Sequence, residues 1–333
     1  MNNVRNIYNI GIRVLVNKVL RVKTLPIALN WAITYRCNQD CLYCNLKSFP
    51  QKELSTIEIL SALDRLKTLK ISTLFFTGGE PLIREDIEEI IYHAKKINHC
   101  VYLNTNGSIT PSLSSEIFSV DKIFLSYEGS ENIHDSIRGV GSYKKLLIFL
   151  NKAIQKNKKV LLLSTINKAN VDFMEDILKF GEFYKIPIRF QPLSLTSLGA
   201  KQINPLLPDI EKYRKALNYL IDVKKKKICT IYNSLDTLEY YQSWPNQKKI
   251  LCTAGNLFFR VEPDGKILCC PKDRNFTGTY LSSPDLKEVF KKSSSQKCNE
   301  CWCASITELN WVMKLRWKSI WNLFVLEGFR KYG

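Results

Sequence analysis

Long apolar runs are missing from this chain. No stretch reaches the ~20 uninterrupted apolar residues that a membrane-spanning helix needs. A secretory signal is missing too, because Arg13, Lys18 and Arg21 interrupt the apolar positions after Met1. Histidine is scarce, and His93, His99 and His134 stand in no motif. That leaves no Ser-His-Asp arrangement and gives the three a structural role. Internal repeats and low-complexity tracts are absent. No nucleic-acid-binding motif occurs, so no nucleic-acid partner is expected. Acidic residues are in short supply: 49 Lys and Arg against 31 Asp and Glu give a net charge of +18. That excess suits an anionic membrane surface or an anionic substrate.

What the chain has is cysteine. Eleven cysteines without a secretory signal point to metal binding in a reducing, cytoplasmic setting rather than to disulfides. Cys37, Cys41 and Cys44 follow the spacing C-x3-C-x2-C. The apolar run 28–35 reads as a strand, so these cysteines occupy the loop at its C-terminal end. Three thiolates from one loop can hold three corners of a [4Fe–4S] cube and leave one iron open. The alternative is a structural zinc site, which wants a fourth ligand that the neighbourhood does not supply.

From 28 to about 225 the pattern alternates strand and helix. Strands are expected at 28–35, 73–77, 100–103, 123–127, 160–165 and 188–191. Helices are expected at 55–69, 86–97, just after Pro111, 143–156, 171–184 and 209–224. The first is opened by the capping box Ser55-Thr56-Ile57-Glu58. Six strand–helix units imply an α/β fold with a parallel sheet and helices outside. Six rather than eight suggests an open (β/α)6 barrel, a partial TIM barrel. In such barrels the chemistry sits at the strands' C-terminal ends. There fall Gly78-Gly79-Glu80-Pro81, Asn104, Asn106, Ser126, Arg138, Ser164 and Gln191. For Asn104, Ser164 and Gln191, ordinary barrel lining is an equal alternative.

The C-x3-C-x2-C loop, with aromatic Tyr43 before its last cysteine, resembles the signature of the radical S-adenosylmethionine (SAM) superfamily. Gly78-Gly79-Glu80-Pro81 resembles that family's GGEP motif. The resemblance covers most of 28–303. It implies a [4Fe–4S] cluster on Cys37, Cys41 and Cys44, with SAM on the open iron. It also implies reductive cleavage of SAM to a 5′-deoxyadenosyl radical, which abstracts hydrogen from an unactivated C–H bond. An electron donor of flavodoxin or ferredoxin type follows as a partner. By the same resemblance Gly78, Gly79, Glu80 and Pro81 bind the amino group of SAM, and Tyr43 contributes to the adenine site. Ser126 lies near the ribose and Arg138 anchors SAM. Asn104, Asn106, Ser164 and Gln191 are the remaining candidates for the cofactor pocket. Tyr127-Glu128 stands where relatives often carry Leu-Asp.

A break near Lys227 opens a different region. Cys252 and Cys270 have seventeen residues between them. Asp264-Gly265 marks a hairpin turn between the runs 257–259 and 266–268. Cys298-x2-Cys301-x-Cys303 follows. The set resembles the auxiliary-cluster domain of the SPASM/twitch subgroup in its shortened, one-cluster form. It implies a second [4Fe–4S] cluster on Cys252, Cys270, Cys298 and Cys301, with Cys269 and Cys303 as substitutes. A structural zinc site would suit the same thiolates. Cys100 and Cys229 read as small buried hydrophobes.

Both ends read as basic amphipathic helices. One spans 5–23, with Tyr8, Ile12, Leu15, Val16, Val19 and Leu20 in its stripe. The other spans 310–332, with Met313, Trp317, Ile320, Trp321 and Phe324. Such helices lie on an anionic membrane or pack on the protein's own core. The expected organisation is a helix over 1–27, the barrel over 28–227, the twitch-like region over 228–305 and the tail helix over 306–333. The basic ends favour a membrane-associated lipid or lipid-linked substrate, for a cytoplasmic protein peripheral to the inner face of the membrane. A ribosomally made peptide is the rival, and a small sugar or aminocyclitol comes third. From another class, the rival is a non-catalytic metal-binding protein of the membrane surface.

Overall fold

The structure is a computed structural model. It describes residues 25–50, 52–71, 73–97, 99–109, 116–196, 202–226, 230–246, 250, 252–270, 279–292 and 301–324. The helix expected over 5–23, the start of the one after Pro111, Cys229 and Cys298 lie outside the described residues.

Strand β1 (Ala28–Thr34) delivers the chain to the cysteine loop. Helix α1 (Thr56–Thr68) follows, and its capping box forms as read. Ser55 Oγ accepts from the Glu58 amide, and the Glu58 carboxylate accepts from the Ser55 amide. Next come β2 (Thr73–Gly78), α2 (Ile87–Lys96), β3 (Cys100–Thr105) and β4 (Lys122–Ser126). Then α3 (Glu131–Arg138), α4 (Ser142–Gln155), β5 (Val160–Ile166), α5 (Met174–Phe183), β6 (Ile188–Pro192) and α6 (Ile210–Lys225). Helix α3 has no counterpart among the expected elements. It is polar, and two of its three buried residues are His134 and Arg138, so no apolar stripe announces it.

The six strands pair in parallel, as the alternation implies. Each strand sorts its side chains by alternation. Leu29, Trp31, Ile33, Leu74, Phe76, Val101 and Leu103 join the helices in the main core. The other face points into the barrel. There Phe124, Leu161 and Tyr232 are buried against Phe75, Tyr102 and Leu163.

The hairpin appears as β7 (Phe258–Val261) and β8 (Ile267–Leu268), turning at Asp264 and Gly265. It extends the barrel's own sheet. Strand β7 pairs in parallel with β1, from Ala28 opposite Phe258 to Trp31 opposite Val261. The strand order is β6-β5-β4-β3-β2-β1-β7-β8. Phe258, Phe259, Val261, Ile267 and Leu268 are all buried. Burial on both faces removes the clean period of two and hides their place in the sheet.

Past the hairpin, α7 (Leu235–Tyr241), which precedes it in sequence, packs against two helices of the tail. Between hairpin and tail lies α8 (Leu286–Lys292). The tail differs from the single helix expected. Its described part is α9 (Ala304–Met313) and α10 (Trp317–Phe324), separated where Leu315 takes φ +54°. Asp236 fixes the break: it pairs with Arg316 and accepts from Ser319 Oγ at 2.8 Å. The break divides the expected stripe, so that Met313 is buried while Trp317 and Trp321 are 70% and 66% exposed. Among the described residues no helix is long and apolar enough to cross a membrane.

Candidate active site

A cavity of about 360 Å³ lies at the C-terminal ends of the barrel strands. Most of the expected site residues converge on it. Cys37, Cys41, Tyr43 and Cys44 come from the loop after β1, and Gly78 and Gly79 from the end of β2. Asn104 and Asn106 come from β3 and the turn after it, Ser126 from β4, Arg138 from α3 and Gln191 from β6. Ser164 does not reach it. Leu163 and Thr165 take the inward positions of β5, so Ser164 faces the other way, buried and, among the described residues, with no partner for its hydroxyl. Glu80 and Pro81 lie behind the lining, fully or nearly buried.

The Gly-Gly-Glu-Pro turn is stitched to the cysteine loop. The Gly79 amide donates to Thr34 O at 2.8 Å and the Glu80 amide to Arg36 O at 2.9 Å. Two glycines make that approach possible: a Cβ on Gly78 would sit 2.0 Å from Thr34 O, and one on Gly79 2.2 Å from Arg36 O. Glu80 holds the turn from beneath. Its Oε1 accepts from Thr105 Oγ1 at 2.8 Å and its Oε2 from the Asn106 amide at 2.7 Å. Burial pushes this carboxyl up to about 7, while the hydrogen bonds from Asn106, Leu82 and Thr105 pull the other way.

On the opposite wall stands an ion pair. Arg138 Nη2 donates to Glu128 Oε1 at 2.7 Å and to Tyr43 Oη at 2.5 Å. Arg138 Nη1 reaches Gln39 Oε1 at 3.4 Å and Cys41 Sγ at 3.8 Å. The side chain of Glu128 is wholly buried, and Asn167 Nδ2 approaches its Oε2 at 3.4 Å. His134 carries out the structural role expected of it. Burial holds its pKa down to about 3, so the ring is neutral and its Nδ1 accepts from the Glu128 amide at 3.3 Å. Neither Glu128 nor Gln39 stands out as a site residue in the sequence. The available signal is an acid closing a strand, ten positions before an arginine. Alanine at Glu128 would strand Arg138 as a buried, uncompensated charge. Such a loss costs about 3–5 kcal/mol, so Glu128→Ala should unfold at a markedly lower denaturant concentration. Stability within ~1 kcal/mol of the parent protein would show that the pair is not needed.

Burial raises the Cys37 thiol and pushes that of Cys41 up to about 11, which favours the protonated form of both. A bound metal reverses that preference. Among the described residues no three His, Cys, Asp or Glu side chains converge as a single ion requires. A cubane takes one thiolate at each of separate iron corners, and three cysteines spread along one cavity wall fit it. Gln39 Nε2 and Asn104 Oδ1, in the same lining and without partners among the described residues, fit a polar ligand.

The C-terminal cysteines gather in part. Cys301, whose thiol burial raises, feels the charges of Cys303 and Cys252. Cys269 is fully buried in the main core and Cys270 is half-buried beside it. Cys298 lies outside the described residues. Cys100 is buried, as its reading required.

Comparison with known families decides the class. The profile of the Radical SAM superfamily matches residues 31–181. This segment is a radical SAM domain, and the chain is a radical SAM enzyme. Its cofactors are therefore a [4Fe–4S] cluster and SAM. The enzyme is 26% identical over 291 residues to mycofactocin maturase MftC of Mycolicibacterium smegmatis, covering 84% of this chain and 74% of that one. The MftC of Mycobacterium tuberculosis H37Rv is 26% identical over 279 residues, covering 81% and 71%. Among solved structures, Streptococcus suis SuiB bound to S-adenosylmethionine shares the fold, with a TM-score of 0.65 at 16% identity. It covers 83% of this chain and 68% of that one. The anSMEcpe structure with bound AdoMet gives 0.67 at 19% identity, covering 80% of each chain.

Proposed function

We propose that this radical SAM enzyme takes hydrogen from an unactivated C–H bond of a peptide. The observation that carries the reading is the recurrence of peptides among its fold neighbours. SuiB has been crystallised bound to precursor peptide SuiA, and anSMEcpe with AdoMet and the Cp18Cys peptide. The maturases named above add relatives that match four-fifths of the chain. The lipid reading has less behind it. It draws on the net charge of +18 and on two basic terminal helices, of which one lies outside the described residues and the other breaks at Leu315.

Cys37, Cys41 and Cys44 would hold the cluster. When bound, the cluster and SAM supply one-electron cleavage of a carbon–sulfur bond and the hydrogen abstraction that follows. Gly78 and Gly79 would offer bare backbone to SAM, while Glu80 keeps that backbone in place through Thr105 and Asn106. Arg138, already bound to Tyr43 and close to Cys41, would fix the cysteine loop. Cys252, Cys270, Cys298 and Cys301 would carry the auxiliary cluster, with Cys269 and Cys303 as substitutes. Four thiolates would close that cluster and suit it to electron transfer or structural support rather than to substrate ligation.

Anaerobic reconstitution tests the proposal. About eight irons per chain are expected for two four-iron clusters, with 5′-deoxyadenosine released on adding SAM and reductant. Peptide and lipid fractions from deuterium-grown cells then separate the substrates. Deuterium should enter 5′-deoxyadenosine from the peptide fraction. Transfer from the lipid fraction alone would overturn the peptide reading.

A further inference from the structure

Beneath the cavity the barrel holds a guanidinium that makes no ion pair among the described residues. Arg189 lies on β6 two residues before Gln191, which lines the cavity. Alternation puts both on the inward face, with Arg189 about 7 Å deeper at ~3.3 Å per residue. The register agrees: Thr165 faces Gln191 and Leu163 faces Arg189, and both partners line the cavity. Leu163 also packs against the cluster of Phe124, Leu161 and Tyr232, so the cavity lining is continuous with this deeper layer.

Arg189 is 9% exposed. Its guanidinium stacks over Tyr232 at 4.5 Å and Phe124 at 5.4 Å, and Nη1 donates to Ser305 Oγ at 2.8 Å. Nε is buried without an acceptor. Among the described residues no carboxylate reaches ion-pair distance of it. Glu308 is the acid that feels its charge, and Glu308 Oε1 is taken by the Ser234 amide at 2.8 Å. Lys122, 6% exposed, lies over Tyr102 and the same Tyr232, and adds to the positive potential.

A buried guanidinium costs free energy unless an anion answers it. Aromatic faces offset part of that cost but leave the donor directions unfilled. Nε, which has no acceptor among the described residues, belongs to the Nε–Nη2 edge, the fork that grips a carboxylate with two parallel hydrogen bonds. We propose that Arg189 anchors a carboxylate of the substrate below the cofactor cavity and so sets which C–H bond is presented to it. This rests on the cavity being the site of the radical SAM reaction, and it narrows the peptide to one with an acidic side chain or a free C-terminus near the reacting carbon.

The test uses the full chain, reconstituted anaerobically and held with SAM. It is titrated by calorimetry with N-acetylglutamic acid α-amide, N-acetylglycylglycine and glutarate, each beside its neutral amide. A charge-assisted, two-point contact predicts that at least one acid binds about tenfold more tightly than its amide. That preference should fall below about twofold in Arg189→Gln and persist, reduced, in Arg189→Lys. The glutamate probe winning assigns the side-chain source; N-acetylglycylglycine winning assigns the chain end. A preference confined to glutarate would keep the anchor and remove the peptide. No difference between acids and amides in the parent protein overturns the proposal, whether or not Arg189→Gln folds. So does a preference that survives Arg189→Gln. Measuring 5′-deoxyadenosine in the same samples separates the two levels, because absence of SAM cleavage would unseat the functional reading itself.

Discussion

Alanine at Cys37, Cys41 or Cys44 should abolish 5′-deoxyadenosine formation and lower the iron content by about four per chain. Each of these thiols lines the cavity on the loop leaving β1, and none has a neighbouring cysteine on that loop to replace it. Burial pushes Cys41 up to about 11, a preference for the thiol that a bound metal reverses by taking the proton's place. Alanine at exposed Cys303 serves as the control and should spare SAM cleavage by the first cluster. Iron and sulfide analysis with chromatography of the SAM products reads both results. SAM cleavage that persists in the Cys41→Ala protein would remove that residue from the cluster.

Alanine at Gly79 should be nearly as damaging, although the residue has no functional group. Its Cβ would sit 2.2 Å from Arg36 O and 2.7 Å from Tyr35 O, both backbone atoms that no rotamer change can move aside. The clash must displace the chain just ahead of Cys37. Overpacking of this kind costs about 1–3 kcal/mol and more where backbone has to move. At ~1.4 kcal/mol per factor of ten, SAM affinity should fall by roughly 10²-fold. Gly141→Ala is the comparison. Its φ is +79° but nothing lies within 4 Å of the new methyl, so only the left-handed backbone strain of ~1–2 kcal/mol should appear. Denaturation curves and SAM titration distinguish the two. Equal SAM affinity in Gly79→Ala and the parent would show that the two chain segments are free to separate.

The parts of this molecule that could be read in the sequence are those where local chemistry and tertiary role agree. Strands β1 to β6 alternate, their flanking helices carry apolar stripes, and Ser55 caps α1 as its spacing promises. The cysteine loop and the glycine turn were legible because close approach and metal ligation demand particular residue types. Ser164 went astray by one position, which in a strand means the opposite face. Helix α3 was hidden because its buried side is polar, built from His134 and Arg138. The partnership of Glu128 with Arg138 was hidden because pairing is a property of folded space: Arg138 reads in the sequence as an anchor for SAM, and nothing there ties it to Glu128. The tail broke at Leu315 because Asp236, about eighty positions earlier, captures Arg316 and Ser319.

The pairing of β7 with β1 also sets a timetable. Ala28 meets Phe258, a partner about 230 residues further along the chain. At ~5–20 residues per second of ribosomal synthesis, that partner emerges roughly 10–50 s after β1 does. Throughout that interval one flank of the first strand is bare, next to the cysteines that must be loaded. A nascent chain of this design has good reason to be shielded by a chaperone until its last quarter is made.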